Sequence, residues 1–234
     1  MRLCIIPARG GSKRIPKKNI RDFCGKPVLA YAIEAAKKSQ LFDKVIVSSD
    51  DSNIVSIAKE FGAETPFIRP SEIADDHSGT VPVIAHAIRE TETAGEAPDL
   101  VCCVYPCAPL IQYQDLCRGL ELLESSGQSK FSFPVAEFPS SVQRAISLYE
   151  KALTKSLYPE YQLTRTQDLA PAFYDAGQFY LGYREDWLNF PQIHSYGIGL
   201  VIPSWRAVDI DTPDDWLRAE MAYRLISENL INLK

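Results

Sequence analysis

The sequence predicts an α/β fold in which helices cover both faces of a mostly parallel sheet. Short apolar runs of strand length alternate with amphipathic segments of helical period, which is the pattern of βαβ units. The strand-like runs are apolar throughout, as expected for strands that are buried on both faces. A length of 234 residues with 46% hydrophobic residues suffices for one core, so we expect residues 1–234 to form a single domain.

The alternation is clear through the first 135 residues. The predicted strands are Leu3–Pro7, Lys44–Ser49, Leu100–Val104 and Phe131–Val135. The predicted helices are Val28–Lys38, Asn53–Phe61, Val81–Glu92 and Gln114–Glu124. Ligands of open α/β sheets bind beyond the carboxyl ends of the strands, so chemistry is expected in the loops there. Those loops follow Ile6, Val47, Val104 and Val208.

The alternation stops at residues 140–170, which we expect to leave the sheet as a small excursion. Within them, Val142–Tyr161 mixes a β-like start with a charged segment that contains Tyr149, Tyr158 and Tyr161. Aromatic side chains exposed on such an excursion mark a contact surface. We therefore expect the excursion to cover the substrate and to reach across to a second copy in a homodimer.

The main fold is expected to resume after the excursion. The strand-like segments Gly177–Tyr183 and Gly199–Ile202 return the chain to the sheet. A final helix is predicted over Pro213–Leu225, with Thr212 as its N-cap.

Composition excludes several classes of protein. The net charge of −5 argues against a nucleic-acid partner, because a phosphate backbone requires a basic face. Apolar stretches reach only strand length, so neither a secretory signal nor a membrane span is predicted and we expect a cytoplasmic protein. None of the six cysteines forms a C-x-x-C pair, which favours reduced core thiols over a metal site. His86 lies on an apolar helical pattern and is expected to be a packing residue.

The loop Pro7–Asn19 leaves the first strand with Gly10, Gly11 and five cationic side chains. Glycine lets backbone N–H groups approach phosphate oxygens, while Arg9 can fork onto them and Lys18 can add a point charge. The loop therefore predicts a polyphosphate site, with a solvated basic turn as the alternative. Neither the G-x-x-x-x-G-K-[ST] pattern nor the G-x-G-x-x-G pattern is present.

Two carboxylates near the other end of the chain predict a cation site. Asp209 and Asp211 occupy alternate positions at the expected end of a strand, which directs both side chains to the same side. Mg²⁺ takes one or two carboxylates together with substrate phosphates. Acids that favour a helix N-terminus are the alternative, which accounts for Asp214 and Asp215 but not for the first pair.

The pattern R-G-G-S-K-R-I-P-x-K-N after the first strand resembles the N-terminal signature of the CMP-sialic acid synthetase family. Further likeness lies in F-C-G-K-P at Phe23–Pro27, in I-V-S-S-D-D at Ile46–Asp51 and in Arg69-Pro70, and the resemblance extends over Leu3–Leu225. It implies a Rossmann-like, three-layer α/β/α nucleotidyltransferase fold of the glycosyltransferase-A-like type.

The resemblance also implies a reaction and its residues. CMP would pass from CTP to the anomeric hydroxyl of an acidic nine-carbon sugar, with Mg²⁺ on the two carboxylates and release of pyrophosphate. Either Asp211 or a metal-bound water would remove the hydroxyl proton. The implied catalytic residues are Arg9, Lys18, Asp209 and Asp211. The implied nucleotide contacts are Ala8, Gly10, Gly11, Ser12 and Asn19 in the loop, and Arg69, Ser78 and Thr80 in the stretch that borders the cytosine. Arg69 would contact the cytosine or a phosphate, and helix capping is the alternative for Ser78 and Thr80.

The acceptor side departs from the sialic-acid-specific members, which carry Q-P-T-S-P where this chain has Tyr105–Pro109. The segment around Gln178 and Tyr180 has the form associated with the branch that uses pseudaminic acid, so we expect that sugar as the substrate. Both side chains can bond sugar hydroxyls, with a core strand as the alternative. Arg165 and Arg144 compete as ligands of the sugar carboxylate.

The sequence is also compatible with other functions. The first alternative is the same reaction on sialic, legionaminic or octulosonic acid. If pseudaminic acid is the substrate, its CMP derivative would be used to glycosylate surface glycans or flagellin. A non-catalytic sugar-nucleotide-binding protein belongs to another class, but it would be expected to lose Asp209, Asp211 or Lys18, and all three are present. A neutral-sugar pyrophosphorylase is disfavoured by the composition of the glycine-containing loop.

Overall fold

The structure is a computed structural model that describes residues 1–75 and 78–228. Its strands are β1 (Arg2–Pro7), β2 (Asp22–Phe23), β3 (Lys26–Pro27), β4 (Lys44–Ser48), β5 (Leu100–Val104), β6 (Phe131–Glu137), β7 (Ile146–Tyr149), β8 (Leu153–Ser156), β9 (Phe173–Asp175), β10 (Phe179–Tyr183) and β11 (Gly197–Val201). Its α-helices are α1 (Val28–Ser39), α2 (Ser52–Glu60), α3 (Thr80–Thr93), α4 (Tyr113–Ser126), α5 (Arg184–Asn189) and α6 (Pro213–Ser227). The predicted helices and strands of the first 135 residues are confirmed to within two residues at each end.

The central sheet has the strand order β11-β6-β10-β5-β1-β4, and β9 pairs with β6. The strands β4, β1, β5, β6 and β11 run in one direction, whereas β10 and β9 run against it. The predicted α/β fold with a mostly parallel sheet is therefore confirmed. The antiparallel β10 lies between β5 and β6, so its first residues meet the carboxyl end of β5, with Phe179 opposite Val104.

Alternate residues of β1 show how the sheet is covered on both faces. Cys4 and Ile6 belong to a core cluster that includes residues of α1, α2 and α4. Leu3 and Ile5 point the other way, into a cluster with residues of α3 and α5. This alternation is the two-residue period of a strand, and it produces three layers in the order helix, sheet, helix.

The cysteines and His86 behave as the sequence predicts. All six cysteines are free, and three of them are fully buried in the sheet: Cys4, Cys102 and Cys103. His86 is half-buried, with its ring 5.4 Å from the ring of Phe67 between centroids. In the described part of the chain, no helix has the length and apolar character needed to cross a membrane.

The segment before α6 corrects one detail of the sequence analysis. Val208 was expected to end a strand, but no strand is formed between β11 and α6. The two carboxylates that follow it instead lie in a segment without regular secondary structure. The predicted cap of the last helix is confirmed as a capping box. The side chain of Thr212 accepts a hydrogen bond from the backbone N–H of Asp215, and the carboxylate of Asp215 accepts one from the backbone N–H of Thr212.

The predicted excursion leaves the central sheet and forms its own hairpin from β7 and β8. Its apolar side chains are exposed to solvent, and the chain then returns to the main sheet through β9. The exposed side chains include Ile146, Leu148, Tyr149, Leu153, Leu157, Tyr158 and Tyr161.

Candidate active site

A cavity of about 350 Å³ opens beyond the carboxyl ends of β1 and β5, as expected for an open α/β sheet. Both segments that the sequence singles out, the basic loop and the two carboxylates, contribute to its lining. The predicted site residues in the lining are Arg9, Ser12, Lys18, Asn19, Arg69, Ser78, Thr80, Tyr105, Asp209 and Asp211. Residues about 190 positions apart in sequence are thus brought to one cleft.

The basic loop is fixed by hydrogen bonds to neighbouring strands and to itself. The backbone N–H of Gly10 donates to Asp50 Oδ1 at 2.9 Å, and Asn19 Nδ2 donates to the carbonyl of Arg9 at 2.8 Å. Ala8 is buried, and its N–H donates to the carbonyl of Ser48 at 3.0 Å. These contacts hold the cationic side chains of the loop over the cleft.

Gly10 and Gly11 differ in the space that surrounds them. A Cβ atom on Gly10 would lie 2.8 Å from Asp51 Oδ2 and 2.9 Å from Asp51 Cβ, which is too close for any side chain. A Cβ atom on Gly11 would meet nothing within 4 Å. Gly10 is therefore required for the close approach of the loop to Asp51, whereas Gly11 faces open space.

The basic loop and the acidic segment touch through Asp211. Its Oδ1 atom lies 2.8 Å from Arg14 Nη2 and 3.4 Å from Lys18 Nζ. Lys18 Nζ also donates to the carbonyl of Ile210 at 2.5 Å. The cations of the loop and the carboxylate thus pair across the cleft.

Asp209 lies on the same cleft and interacts with Asp211. Desolvation by the surrounding protein raises the pKa of Asp209, and the negative charge of Asp211 raises it further. Gly177, which has a positive φ of 61°, packs so that a Cβ atom there would lie 3.6 Å from the side chain of Asp209. Within residues 1–75 and 78–228, no group of three or more His, Cys, Asp or Glu side chains is arranged to hold a metal ion.

A buried arginine forms the back of the cleft. Arg69 Nε donates to Ser48 Oγ at 3.1 Å, and its Nη2 donates to the carbonyl of the same residue. Burial lowers the pKa of Arg69 to about 10. Ser78 stands at the edge of the cleft, where its Oγ and N–H both bond Asp75 Oδ1 at 2.7 Å.

Tyr105 separates this cleft from a second, larger cavity. Its hydroxyl lies 2.6 Å from Thr80 Oγ1, and burial raises the pKa of Tyr105 to about 12. The second cavity has a volume of about 830 Å³ and shares Thr80 and Tyr105 with the first. Much of its wall is apolar or aromatic: Val81, Pro82, Ala85, Tyr180, Trp187, Leu188, Pro191 and Ile193.

Gln178, which directly precedes β10, and Tyr180, which lies in β10, have different surroundings. Tyr180 lines the second cavity, and its hydroxyl donates to Asp175 Oδ2 at 2.6 Å. Gln178 lines neither cavity: its Nε2 donates to the carbonyl of Arg206 at 2.7 Å, and its buried Oε1 has no hydrogen-bond partner among the described residues.

The two candidate arginines of the excursion lie outside both cavities. Arg144 donates to the carbonyls of Gln162, at 2.8 Å, and Thr164, so its guanidinium holds the excursion together. The side chain of Arg165 is exposed and makes no hydrogen bond or ion pair with the part of the chain that the structure describes.

Sequence analysis missed Asp175 and His194, which join Tyr180 at the second cavity. His194 lines that cavity, and its ring nitrogen Nε2 lies 2.7 Å from Asp175 Oδ2. Asp175 ends β9, four residues before β10 begins, so its closeness in sequence to the predicted Gln178 and Tyr180 was a usable signal. His194 lies in a short 3₁₀ turn after α5, and no motif marks it.

Cations that face carboxylates across an open cleft complement a nucleoside triphosphate with a divalent cation. A family model described as cytidylyltransferase matches residues 3–182. The chain therefore belongs to the cytidylyltransferase family.

Relatives with known names fit this assignment. A pseudaminic acid cytidylyltransferase of Campylobacter jejuni is 40% identical over 228 residues, which cover 97% of this chain and 98% of that protein. A CMP-N,N'-diacetyllegionaminic acid synthase of Legionella pneumophila is 26% identical over 231 residues, covering 98% of this chain and 99% of that one. The solved structure of a CMP:2-keto-3-deoxy-manno-octonic acid synthetase complexed with CTP superposes with a TM-score of 0.70. The superposition covers 96% of this chain and 99% of that chain at 18% sequence identity, which shows that the two share a fold.

The contrast between the two glycines gives a testable prediction. Gly10→Ala should lower the midpoint of thermal unfolding, because its methyl group collides with Asp51. Gly11→Ala is the matched control. It should leave the midpoint unchanged or raise it slightly, because alanine restricts the unfolded chain and can increase the free energy of unfolding by up to about 1 kcal/mol. Differential scanning calorimetry of both variants checks the contrast, and equal midpoints for the two would contradict the close approach described for Gly10.

Proposed function

We propose that this protein transfers CMP from CTP to the anomeric hydroxyl of a nonulosonic acid, pseudaminic acid, with release of pyrophosphate. The observation that carries the proposal is the pairing of the basic loop with Asp209 and Asp211 in one cleft, next to a larger cavity with an apolar wall. The substrate is supported by the 40% identity to the Campylobacter jejuni pseudaminic acid cytidylyltransferase over nearly the whole chain. A supply of CTP fits a reaction in the cytoplasm.

The cleft suits the nucleotide in charge. Arg9, Arg14 and Lys18 offer cations to the triphosphate, and Arg69 adds a buried guanidinium at the back of the cleft. Arginine forks onto phosphate oxygens, and a desolvated guanidinium gains more from such a partner than an exposed one. We assign the triphosphate to the loop side of the cleft and the cytosine to the side of Ser78 and Thr80, with Arg69 between them as a contact to phosphate or cytosine.

Asp209 and Asp211 fit a magnesium ion. The two carboxylates face the same cleft. Burial, and then the charge of Asp211, raises the pKa of Asp209, and a bound cation would relieve the repulsion between the two. Two carboxylates with open positions match the preference of Mg²⁺ for one or two carboxylates plus substrate phosphates. When bound, the ion would neutralise charge that develops on the phosphates during transfer.

The residues of the chain supply positioning and electrostatic stabilisation. Arg9 and Lys18 hold the β- and γ-phosphates so that the α-phosphate faces the second cavity, and pyrophosphate departs toward the loop. Lys18 is fixed for this task by its hydrogen bond to the carbonyl of Ile210. The anomeric hydroxyl attacks in line from the side of Tyr105, where the two cavities meet.

We assign the second cavity to the acidic sugar. Its volume of about 830 Å³ and its largely apolar wall suit acylamino and methyl groups better than a sugar rich in hydroxyls. Tyr105 and Tyr180 pack edge to face at 5.3 Å between ring centroids and form the wall nearest the nucleotide cleft. An apolar match of this kind contributes about 1–3 kcal/mol to discrimination between sugars.

The excursion supports a homodimer. Its hairpin exposes Leu148, Tyr149 and Leu153 by more than half of their surface, and a soluble protein seldom leaves such a cluster uncovered. Arg165 is exposed on the same excursion and lies outside the cavities of its own chain. As a ligand of the sugar carboxylate it would therefore serve the site of the partner subunit.

The metal assignment predicts the behaviour of three aspartate variants. Asp209→Asn and Asp211→Asn should each lower kcat/KM by about a hundredfold or more, because an amide keeps the shape but loses the charge that holds Mg²⁺. Asp214→Asn is the matched control, since this exposed residue lies in the first turn of α6 and outside the cleft, and it should retain activity. Pyrophosphate release is measured over a range of Mg²⁺ concentrations, and near-normal rates for either cleft variant would remove the assignment.

The substrate assignment predicts a clear preference among sugars and nucleotides. Purified protein with CTP and Mg²⁺ should turn over pseudaminic acid with a kcat/KM at least about a hundredfold above that for sialic acid. Legionaminic acid and the eight-carbon octulosonic acid complete the panel, and UTP and ATP should replace CTP poorly. Comparable values for pseudaminic and sialic acid would reject the sugar assignment and leave the nucleotide assignment standing.

The dimer is tested with a variant of the excursion. The wild-type chain should scatter light as a dimer at micromolar concentration, and Leu148→Glu should shift it toward monomer because a charge cannot be buried in an apolar contact. Leu217→Glu serves as the control, because Leu217 is similarly exposed but lies on α6, and this variant should remain dimeric. A monomeric wild-type protein would refute the proposal.

A further inference from the structure

Asp175 organises the rim of the second cavity with a single carboxylate. Its Oδ1 atom accepts a hydrogen bond from the backbone N–H of Gly177 at 2.9 Å. Its Oδ2 atom accepts one from the hydroxyl of Tyr180 at 2.6 Å and lies 2.7 Å from His194 Nε2. One side chain thus fixes the turn that packs on Asp209 and two polar groups that line the cavity.

His194 is held in one orientation by three contacts. Its ring packs edge-on against Phe133 at 5.2 Å between centroids, and it faces the ring of Tyr180 at 6.3 Å. The bond to the carboxylate of Asp175 requires hydrogen on Nε2, because a carboxylate only accepts. The second ring nitrogen, Nδ1, makes no hydrogen bond within residues 1–75 and 78–228.

A purely structural explanation accounts poorly for this arrangement. The side chain of His194 is 65% exposed, and an exposed ion pair contributes little to stability. Yet the ring lines the cavity with a fixed orientation and an unused nitrogen. In its neutral form the ring offers Nδ1 as a hydrogen-bond acceptor to a ligand in the cavity.

We propose that His194 determines sugar specificity, with its Nδ1 accepting a hydrogen bond from a hydroxyl or amide N–H group of the sugar in the second cavity. Asp175 is the positioning residue, which selects the tautomer and the orientation of the imidazole. This inference rests on the proposed use of that cavity for the acceptor sugar. His194 would give the sugar a polar contact in the second cavity, whose wall is otherwise largely apolar.

The first experiment compares steady-state kinetics of variants at position 194. His194→Phe keeps the aromatic packing but removes both nitrogens, so it should raise the KM for the sugar about tenfold and leave the KM for CTP within about twofold. His194→Asn keeps a polar group near the position of Nδ1 and should recover part of the affinity for the sugar. Tyr196→Phe, in the same 3₁₀ turn but outside the cavity, is the control and should behave like the wild type.

The second experiment asks whether Asp175 acts through His194. Asp175→Asn should raise the KM for the sugar in the wild-type background and should have a clearly smaller effect when His194→Phe is already present. Equal effects in the two backgrounds would refute the positioning role. An unchanged KM for the sugar in His194→Phe, or an equal rise in the KM for CTP, would overturn the specificity role.

The failure of this inference can be distinguished from failure of the proposed function. If the wild-type protein uses another nonulosonic acid, the pseudaminic assignment fails, and the same variants are compared on the sugar that is used. If the wild-type protein uses none of the panel, both proposals fall. Circular dichroism and thermal unfolding of each variant show whether a loss of activity reflects a loss of fold.

Discussion

The contact between the basic loop after β1 and the acidic segment before α6 is the interaction on which the site depends. Arg14 and Lys18 reach Asp211 from a loop nearly two hundred residues away, in a chain with a net charge of −5. These opposite charges pair across the cleft. In the proposed function, a nucleoside triphosphate with Mg²⁺ would satisfy both partners at once. Phosphate would replace the carboxylate beside the cations, and the metal would replace the cations beside the carboxylate.

The antiparallel strand β10 explains why the second cavity, proposed for the sugar, adjoins the cleft proposed for the nucleotide. Since β10 enters the sheet beside the carboxyl end of β5, its first residues meet the loop that carries Tyr105. The turn before it, through Asp175 and Gly177, then packs against Asp209 on one side and supports Tyr180 and His194 on the other. A parallel strand at this place would carry those residues to the opposite edge of the sheet.

Much of the fold and of the nucleotide cleft could be predicted from the sequence, because local chemistry marks both. Strand and helix periods identified the core, and the concentration of cations after β1 marked the loop. Pairing direction depends on long-range contacts, so neither the direction of β10 nor the absence of a strand at Val208 was visible. Gln178 and Arg144 were singled out by residue type, yet backbone carbonyls engage their side chains. His194 was missed because only the tertiary fold brings it to Asp175.

The exchange of partners in the cleft is tested most directly by isothermal titration calorimetry of CTP with and without Mg²⁺. The account predicts that Mg²⁺ strengthens CTP binding to the wild-type protein about tenfold or more and that Asp211→Asn abolishes this coupling, since the carboxylate no longer links the two ligands. The same affinity for CTP with and without Mg²⁺ in the wild-type protein, or equal coupling in the variant, would contradict it.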